Sequence, residues 1–196
     1  MKNIVIFASG QGSNAQKILD HFRASELARV RWIVSDRPDS GVLELARREG
    51  IRTRILDSGF FREPGAFVRE LEALPADLIV LAGFLRKIPP EMVQAFGSRI
   101  INLHPALLPK YGGKGMYGRR VHEAVLAAGE KRSGITIHYV NEHYDEGAPI
   151  LQRSCEVVPG ESPESLAAKI HALEHRWLPL VVEALIRKVP VSTLTD

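Results

Sequence analysis

A single cysteine, Cys155, stands in a chain of 196 residues, so no disulfide can form within it. An isolated thiol is more often a small buried hydrophobe than a reactive group. No stretch is polar or repetitive enough to read as disordered or low-complexity, and no internal repeat is visible. No apolar span is long enough to cross a bilayer, and the opening Met-Lys-Asn-Ile-Val-Ile-Phe runs straight into a core-strand pattern with no cleavage region behind it. A cytoplasmic location with no membrane partner is the expectation. A run of lysine and arginine is also missing: 26 basic residues against 23 acidic ones, with a formal net charge of +3, are scattered through helical segments. The pI near 9.1 suits small anions, whereas the lack of a basic cluster reads as a solvated surface and argues against a nucleic-acid partner.

What is present is core. With 45% hydrophobic residues the chain can bury one substantial core, at a length where one domain is usual. Short apolar runs at 4–8, 30–34 and 51–56 alternate with amphipathic stretches at 15–26 and 41–48, a βαβαβ rhythm. It continues through a helical 66–73, a very apolar 78–82, a short helix at 91–96 and a strand-like 99–103. Continuous apolar strands separated by helices predict a parallel sheet covered on both faces. After His104 the rhythm changes: a Gly-rich 111–118, a helix at 119–128, an alternating strand at 133–140 and another at 150–158 add mixed or antiparallel strands. Ser162 as N-cap and Pro163 just inside the helix open a long amphipathic helix to about Lys188. Leu166, Ile170, Leu173, Trp177 and Val181 form its apolar stripe, and Pro179 is expected to kink it. The fold class is a single-domain α/β, Rossmann-like, mostly parallel sheet with helices on both faces and a mixed C-terminal extension.

Ser9-Gly10-Gln11-Gly12-Ser13-Asn14-Ala15 follows the first strand and opens the first helix. Free backbone N–H groups and the helix dipole there favour a phosphate. Ser13 with Gln16 also fits a capping box. Gly10, Gly12 and Ala15 satisfy G-x-G-x-x-A, and Asp36 lies where a dinucleotide-binding domain places its ribose acid. The turn predicts phosphate binding and leaves monophosphate and pyrophosphate both open.

The second polar signal sits at the carboxyl end of an apolar strand, where open α/β sheets place ligands. Asn102 and His104 are two apart, so their side chains share one face and can converge on one ligand atom. A lone histidine there is more often structural; paired with an asparagine and followed by Pro105, it becomes a candidate for oxyanion stabilisation and proton transfer.

The segment Asn102-Leu103-His104-Pro105-Ala106-Leu107-Leu108-Pro109-Lys110-Tyr111 resembles the formyl-transfer motif of the glycinamide ribonucleotide formyltransferase family. Leu81-Ala82-Gly83-Phe84-Leu85-Arg86 looks like the segment lining that family's folate pocket. His138-Tyr139-Val140-Asn141-Glu142-His143-Tyr144-Asp145-Glu146-Gly147 looks like its catalytic aspartate loop, and Gly10-Gln11-Gly12-Ser13-Asn14 fits its substrate-phosphate turn. The resemblance spans nearly the whole chain. It implies one catalytic domain over 1–196, with a phosphate-binding half at about 1–100 and a folate and catalytic half at about 101–188.

Carried over, the resemblance makes Asn102, His104 and Asp145 the catalytic groups, with Asp145 holding the imidazole. Gly12, Ser13 and Asn14 would take the ribose phosphate, and Glu174 would sit near the glycinamide end. The folate set would be Arg62, Leu85, Arg86, Lys87, Ile88 and Asn102 with Val140, Asn141, Glu142, His143, Tyr144, Asp145 and Glu146. The implied donor is 10-formyltetrahydrofolate, the acceptor is glycinamide ribonucleotide, no metal is implied, and the assembly is a monomer or a homodimer. Chemically, Asn102 donates to the tetrahedral oxyanion, and a protonated His104, its pKa raised by Asp145, donates to it and supplies the proton. The Gly112–Gly118 stretch is richer in glycine than in better-known members, and Tyr144 stands where leucine is usual.

Rival readings are distinguishable. Methionyl-tRNA formyltransferase and formyltetrahydrofolate hydrolase share the formyl-folate core, but each is expected to carry a further domain for which this sequence shows no room. A dinucleotide-dependent oxidoreductase leaves Asn102, His104 and Asp145 without roles. A non-catalytic folate or nucleotide-binding module would have no need of all three. His171-Ala172-Leu173-Glu174-His175 spells an inverted zinc-protease motif. Its flanking Leu173 and Trp177 belong to a packing stripe and no third ligand is evident, so chance is the better reading. His138 reads as structural or as a neighbour of the folate pocket, and the side chains of His21, His122 and His143 have no assigned role.

Overall fold

The computed structural model describes residues 1–194. Its centre is β1 (Lys2–Phe7), which is apolar on both sides: Ile4 and Ile6 enter one core, Val5 and Phe7 the other, and all four are fully buried. Around it lie β2 (Ala28–Ser35), β3 (Arg52–Ile55), β4 (Leu78–Leu81), β5 (Ile100–His104), β6 (Arg132–Tyr139) and β7 (Pro149–Glu156). The seven strands run in the order β3-β2-β1-β4-β5-β6-β7. The first five are parallel, and β6 and β7 are added antiparallel. The chain builds outward from β1 to β3, then returns to lay β4 on the other side of β1. That reversal opens a crevice at the carboxyl ends of β1 and β4.

The helices are α1 (Ser13–Phe22), α2 (Gly41–Arg48), α3 (Ser58–Arg62), α4 (Gly65–Ala73), α5 (Pro90–Phe96), α6 (Arg119–Ala127) and α7 (Pro163–Arg187). Side chains of α1, α2, α6 and α7 fill the core on one face, and those of α3, α4 and α5 fill the other. At β5 and β6 the second face changes character. Ile101, Leu103, Ile135 and Ile137 join the first core, so the residues between them, Asn102, His104, Thr136 and His138, point the other way. The antiparallel register sets Asn102 opposite His138 and His104 opposite Thr136. A polar row thus forms where the second helical layer ends.

Two details depart from the sequence reading. The run at 51–56 is not a strand covered on both faces: β3 is an exposed edge whose Arg52 and Arg54 alternate, and Leu56 beyond it is buried instead. The helix α3 is too short to show a 3.6-residue period; Asp57 caps it by accepting from the Phe60 amide at 3.1 Å. As the sequence places it, Pro179 lies within the long last helix, where it is buried, and α7 runs from Pro163 to Arg187.

Ser162 caps α7 as expected, its hydroxyl oxygen accepting from the Ser165 amide at 3.1 Å. Ser162→Ala is expected to cost about 1 kcal/mol. Urea unfolding should show a lowered midpoint with an unchanged slope; an unmoved midpoint would deny the cap any role.

Candidate functional site

A cavity of about 410 Å³ occupies the crevice, lined by the turn after β1, the segment after β4, the end of β5 and the loops around Gly113 and Asp145. The turn after β1 depends on Gly12. Its φ is +83°, and a Cβ there would lie 2.8 Å from the Val42 side chain. The Val42 amide also donates to the Gly10 carbonyl at 3.0 Å, so the start of α2 supports the turn from behind. The capping box expected of Ser13 and Gln16 is not made. Gly12 occupies the N-cap with no side-chain hydrogen bond, while the Gln16 amide donates to Asp20 and accepts from Arg48. Among the described residues no side chain caps the start of α1, as an anion site requires. Asp36, the acid a dinucleotide ribose would need, accepts from the Ser9 hydroxyl at 2.6 Å, and Ser9 in turn accepts from the Leu85 amide at 3.1 Å. The acid works as an internal brace.

Beside the turn, α1, α6 and α7 contribute a polar wall. Asn14 donates to Glu174 at 2.9 Å. The Asn14 Oδ1 atom and the His122 Nδ1 atom are buried without a partner among the described residues, and both residues line the cavity. Burial pushes the Glu174 carboxyl up, against the opposing pull of Asn14 and His171. Burial, then the charge of His171, pushes His122 down. Sequence reasoning missed His122; a histidine four residues into an amphipathic helix carries no local signal of facing a ligand.

Asn102, His104 and Asp145 converge. Asp145 sits in the left-handed region at φ +57° and presents a carboxylate 11% exposed. One oxygen accepts from the Gly113 amide at 2.8 Å and stands 3.5 Å from His104 Nδ1. The other accepts from Asn102 Nδ2 at 3.2 Å and stands 3.7 Å from His138 Nε2. His104 Nε2 donates to the Tyr111 carbonyl at 2.8 Å. His138 Nδ1 donates to the Tyr139 carbonyl at 2.8 Å, which leaves its Nε2 to accept from Asn102 Nδ2 at 3.1 Å. Both amide hydrogens of Asn102 are thus engaged. His138, read from sequence as structural or a pocket neighbour, is a direct partner of Asn102; the cross-strand pairing that places it there is not visible along the chain.

The charge expected of His104 is corrected. Asp145 does push its pKa up, but burial is the larger influence and the net direction is down, so the imidazole is neutral in the free protein. Burial is also the largest influence on Asp145, upward. His138, the His104 charge and the Gly113 amide together outweigh it and hold the carboxyl below its ordinary value.

On the other side of this cluster, Leu85, Arg86, Lys87, Ile88, Val140, Asn141, His143 and Tyr144 line the cavity. Glu142 and Glu146 are exposed and do not line it. Arg62 lies instead in an adjoining cavity of about 460 Å³, whose wall includes Arg86, Lys87, Ile88 and Tyr144. The Arg86 guanidinium stacks 4.3 Å over Phe61, and Lys87 Nζ lies 5.8 Å over Tyr144. The Leu108–Pro109 bond is cis.

The sequence profile of a family described as formyl transferase matches residues 2–182. Phosphoribosylglycinamide formyltransferase of Arabidopsis thaliana, a chloroplast protein, is 41% identical over 94% of the chain, which spans 65% of that protein's length. The chain thus spans less than two thirds of this plant relative. Phosphoribosylglycinamide formyltransferase of Escherichia coli is 36% identical over 92% of the chain and 85% of its own length. The crystal structure of glycinamide ribonucleotide transformylase 1 from Symbiobacterium toebii superposes with a TM-score of 0.86, at 35% identity over 96% of this chain and 89% of that one.

The buried histidines make stability depend on pH with a definite sign. Because His104 and His122 are held below the ordinary value, the unfolded chain takes up their protons first. Their effect is absent well above about pH 6.5 and becomes a loss of stability as pH falls through it. Glu174, held above its ordinary value, has the opposite sign: its contribution grows as pH falls. The thermal midpoint is expected to drop between about pH 7.5 and 5.5, and to drop less in a His104→Gln, His122→Asn double variant. Parallel slopes for the two proteins would refute this.

Proposed function

The chain belongs to the formyl transferase family, and on that premise we propose that it moves a formyl group from 10-formyltetrahydrofolate to the amine of 5′-phosphoribosylglycinamide. The products are formylglycinamide ribonucleotide and tetrahydrofolate, a step of purine biosynthesis. The observation that carries this reading is the convergence of Asn102, His104 and Asp145 on one cavity whose wall also includes the Gly12–Asn14 turn. The names of the relatives support the choice of substrates. The chain 1–196 acts as one catalytic domain, as a monomer or homodimer, on small molecules. No helix among the described residues is long and apolar enough to cross a membrane, and a cytoplasmic place of action belongs to the same proposal.

In this reading Gly12, Ser13 and Asn14 hold the ribonucleotide phosphate, and polar groups of the same substrate meet the unpartnered Asn14 Oδ1 and His122 Nδ1. Glu174 stands near the glycinamide end. The folate lies along residues 85–88 and 140–145, and the basic cavity holding Arg62, Arg86 and Lys87 suits a carboxylate-bearing end of the donor.

The amine nitrogen attacks the formyl carbon, the carbonyl oxygen becomes an oxyanion, and the bond to the folate nitrogen then breaks as that nitrogen takes a proton. Asn102 reaches the oxyanion by exchanging its longer amide bond, the 3.2 Å contact with Asp145, while His138 keeps the other. His104 is neutral with its Nε2 hydrogen on Tyr111, so the lone pair that accepts the amine proton is on Nδ1. The imidazolium formed there faces the ionised Asp145 and can return its proton to the leaving nitrogen.

The test follows folate absorbance during transfer to the ribonucleotide. Asn102→Ala is expected to lose about 100- to 1000-fold in kcat, and His104→Ala and Asp145→Ala to lose ribonucleotide-dependent turnover. Donor hydrolysis that ignores the amine, or tight NAD binding without transfer, would overturn the reading. Separately, Arg86→Ala should raise the KM for the folate by on the order of 10-fold at unchanged kcat, the signature of lost uniform binding. A fall in kcat with unchanged KM would place Arg86 elsewhere in the mechanism.

A further inference from the structure

The loop after β5 carries the Tyr111 carbonyl that accepts from His104, and its path is set by two polar side chains on β6 and β7. His104, Thr136 and Gln152 lie side by side across three strands. Thr136 is fully buried. Its hydroxyl donates to the Ala106 carbonyl at 2.7 Å and accepts from the Leu108 amide at 3.0 Å and from Gln152 Nε2 at 2.9 Å. A hydroxyl has one hydrogen to give and two lone pairs to fill, and all three are used. Gln152 Nε2 also donates to the Leu108 carbonyl at 2.9 Å. Three backbone groups of residues 106–108 are thereby tied to the sheet.

Three residues on, Tyr111 adopts φ +58° and turns its carbonyl to within 2.8 Å of His104 Nε2. The far end of Tyr111 is held by its hydroxyl, which donates to Glu130 at 2.9 Å. The segment is therefore anchored before and after the carbonyl that chooses which imidazole nitrogen carries hydrogen. Nothing else contacts Nε2 by hydrogen bond among the described residues. If the carbonyl moves, the hydrogen is free to sit on Nδ1, and the lone pair that faces Asp145 is lost.

We propose that Thr136 and Gln152 are positioning residues for formyl transfer: by clamping residues 106–108 they fix the Tyr111 carbonyl and hence the tautomer of His104. The inference rests on the reading of His104 as the proton carrier. Neither side chain contacts the imidazole; both act on it through the backbone that runs from Leu108 to the Tyr111 carbonyl.

The experiment compares Thr136→Val, which keeps the side-chain shape, with Thr136→Ser, which keeps the hydroxyl. Histidine-labelled protein gives the His104 tautomer from nitrogen-15 shifts, and steady-state kinetics gives kcat and both KM values. Thr136→Val is expected to show mixed His104 tautomers and a kcat lowered on the order of 10-fold, with both KM values near wild type. Thr136→Ser should restore tautomer and kcat together. Should the valine variant fail to fold, Gln152→Ala on the exposed edge should show the same changes in smaller degree. A single Nε2–H tautomer with unchanged kcat in these variants, or no rescue by serine, overturns the proposal. Mixed tautomers in Thr136→Val, beside full activity of His104→Ala, would sink the catalytic reading of His104 and leave the clamp standing.

Discussion

A carboxylate cannot be buried ionised unless donors surround it, and the site is organised around meeting that condition for Asp145. The donors come from separate elements: Asn102 from β5 and the Gly113 amide from the loop before α6, with His104 and His138 from β5 and β6 standing just beyond hydrogen-bond distance. The amide can approach because Gly112 beside it has no side chain. A Cβ there would lie 3.1 Å from the Asp145 Cβ and 2.6 Å from Leu108. The glycine-rich stretch 112–118 is thus the part that brings a backbone donor to the carboxylate.

The sheet decides where this cluster lies. Reversal of strand order between β1 and β4 opens the crevice, and the switch to antiparallel pairing at β6 brings a second pair of polar side chains level with Asn102 and His104. The helical layer that covers β1 and β4 on that face does not extend over these four residues. Loops cover them instead, and loops can be shaped by hydrogen bonds to Thr136, Gln152 and Asp145 without disturbing either core.

Much of this was legible along the chain because it rests on local periodicity. The apolar faces of β1, β4 and β5 and the two-residue spacing of Asn102 and His104 are properties of neighbouring residues. So is the cap at Ser162. What failed depended on distant partners. Gln16 has the right spacing for a capping box, but Asp20 and Arg48 claim its side chain. The apolar ends of the run at 51–56 read as a buried strand, yet among the described residues no strand lies outside β3. The charge of His104 was misjudged because spacing reveals its carboxylate neighbour but not the depth of burial that outweighs it.

That last balance need not be the same with ligands in place. His104 is only 3% exposed already, so filling the cavity adds little to the desolvation that keeps it neutral. Its attraction to Asp145 is different, because the carboxylate is more exposed and the interaction strengthens as water leaves and the local dielectric falls. Occupation of the cavity is therefore expected to shift the imidazole toward holding a proton. In the proposed transfer this order is the useful one: a neutral His104 meets the amine, and the closed site then favours the imidazolium that the attack creates.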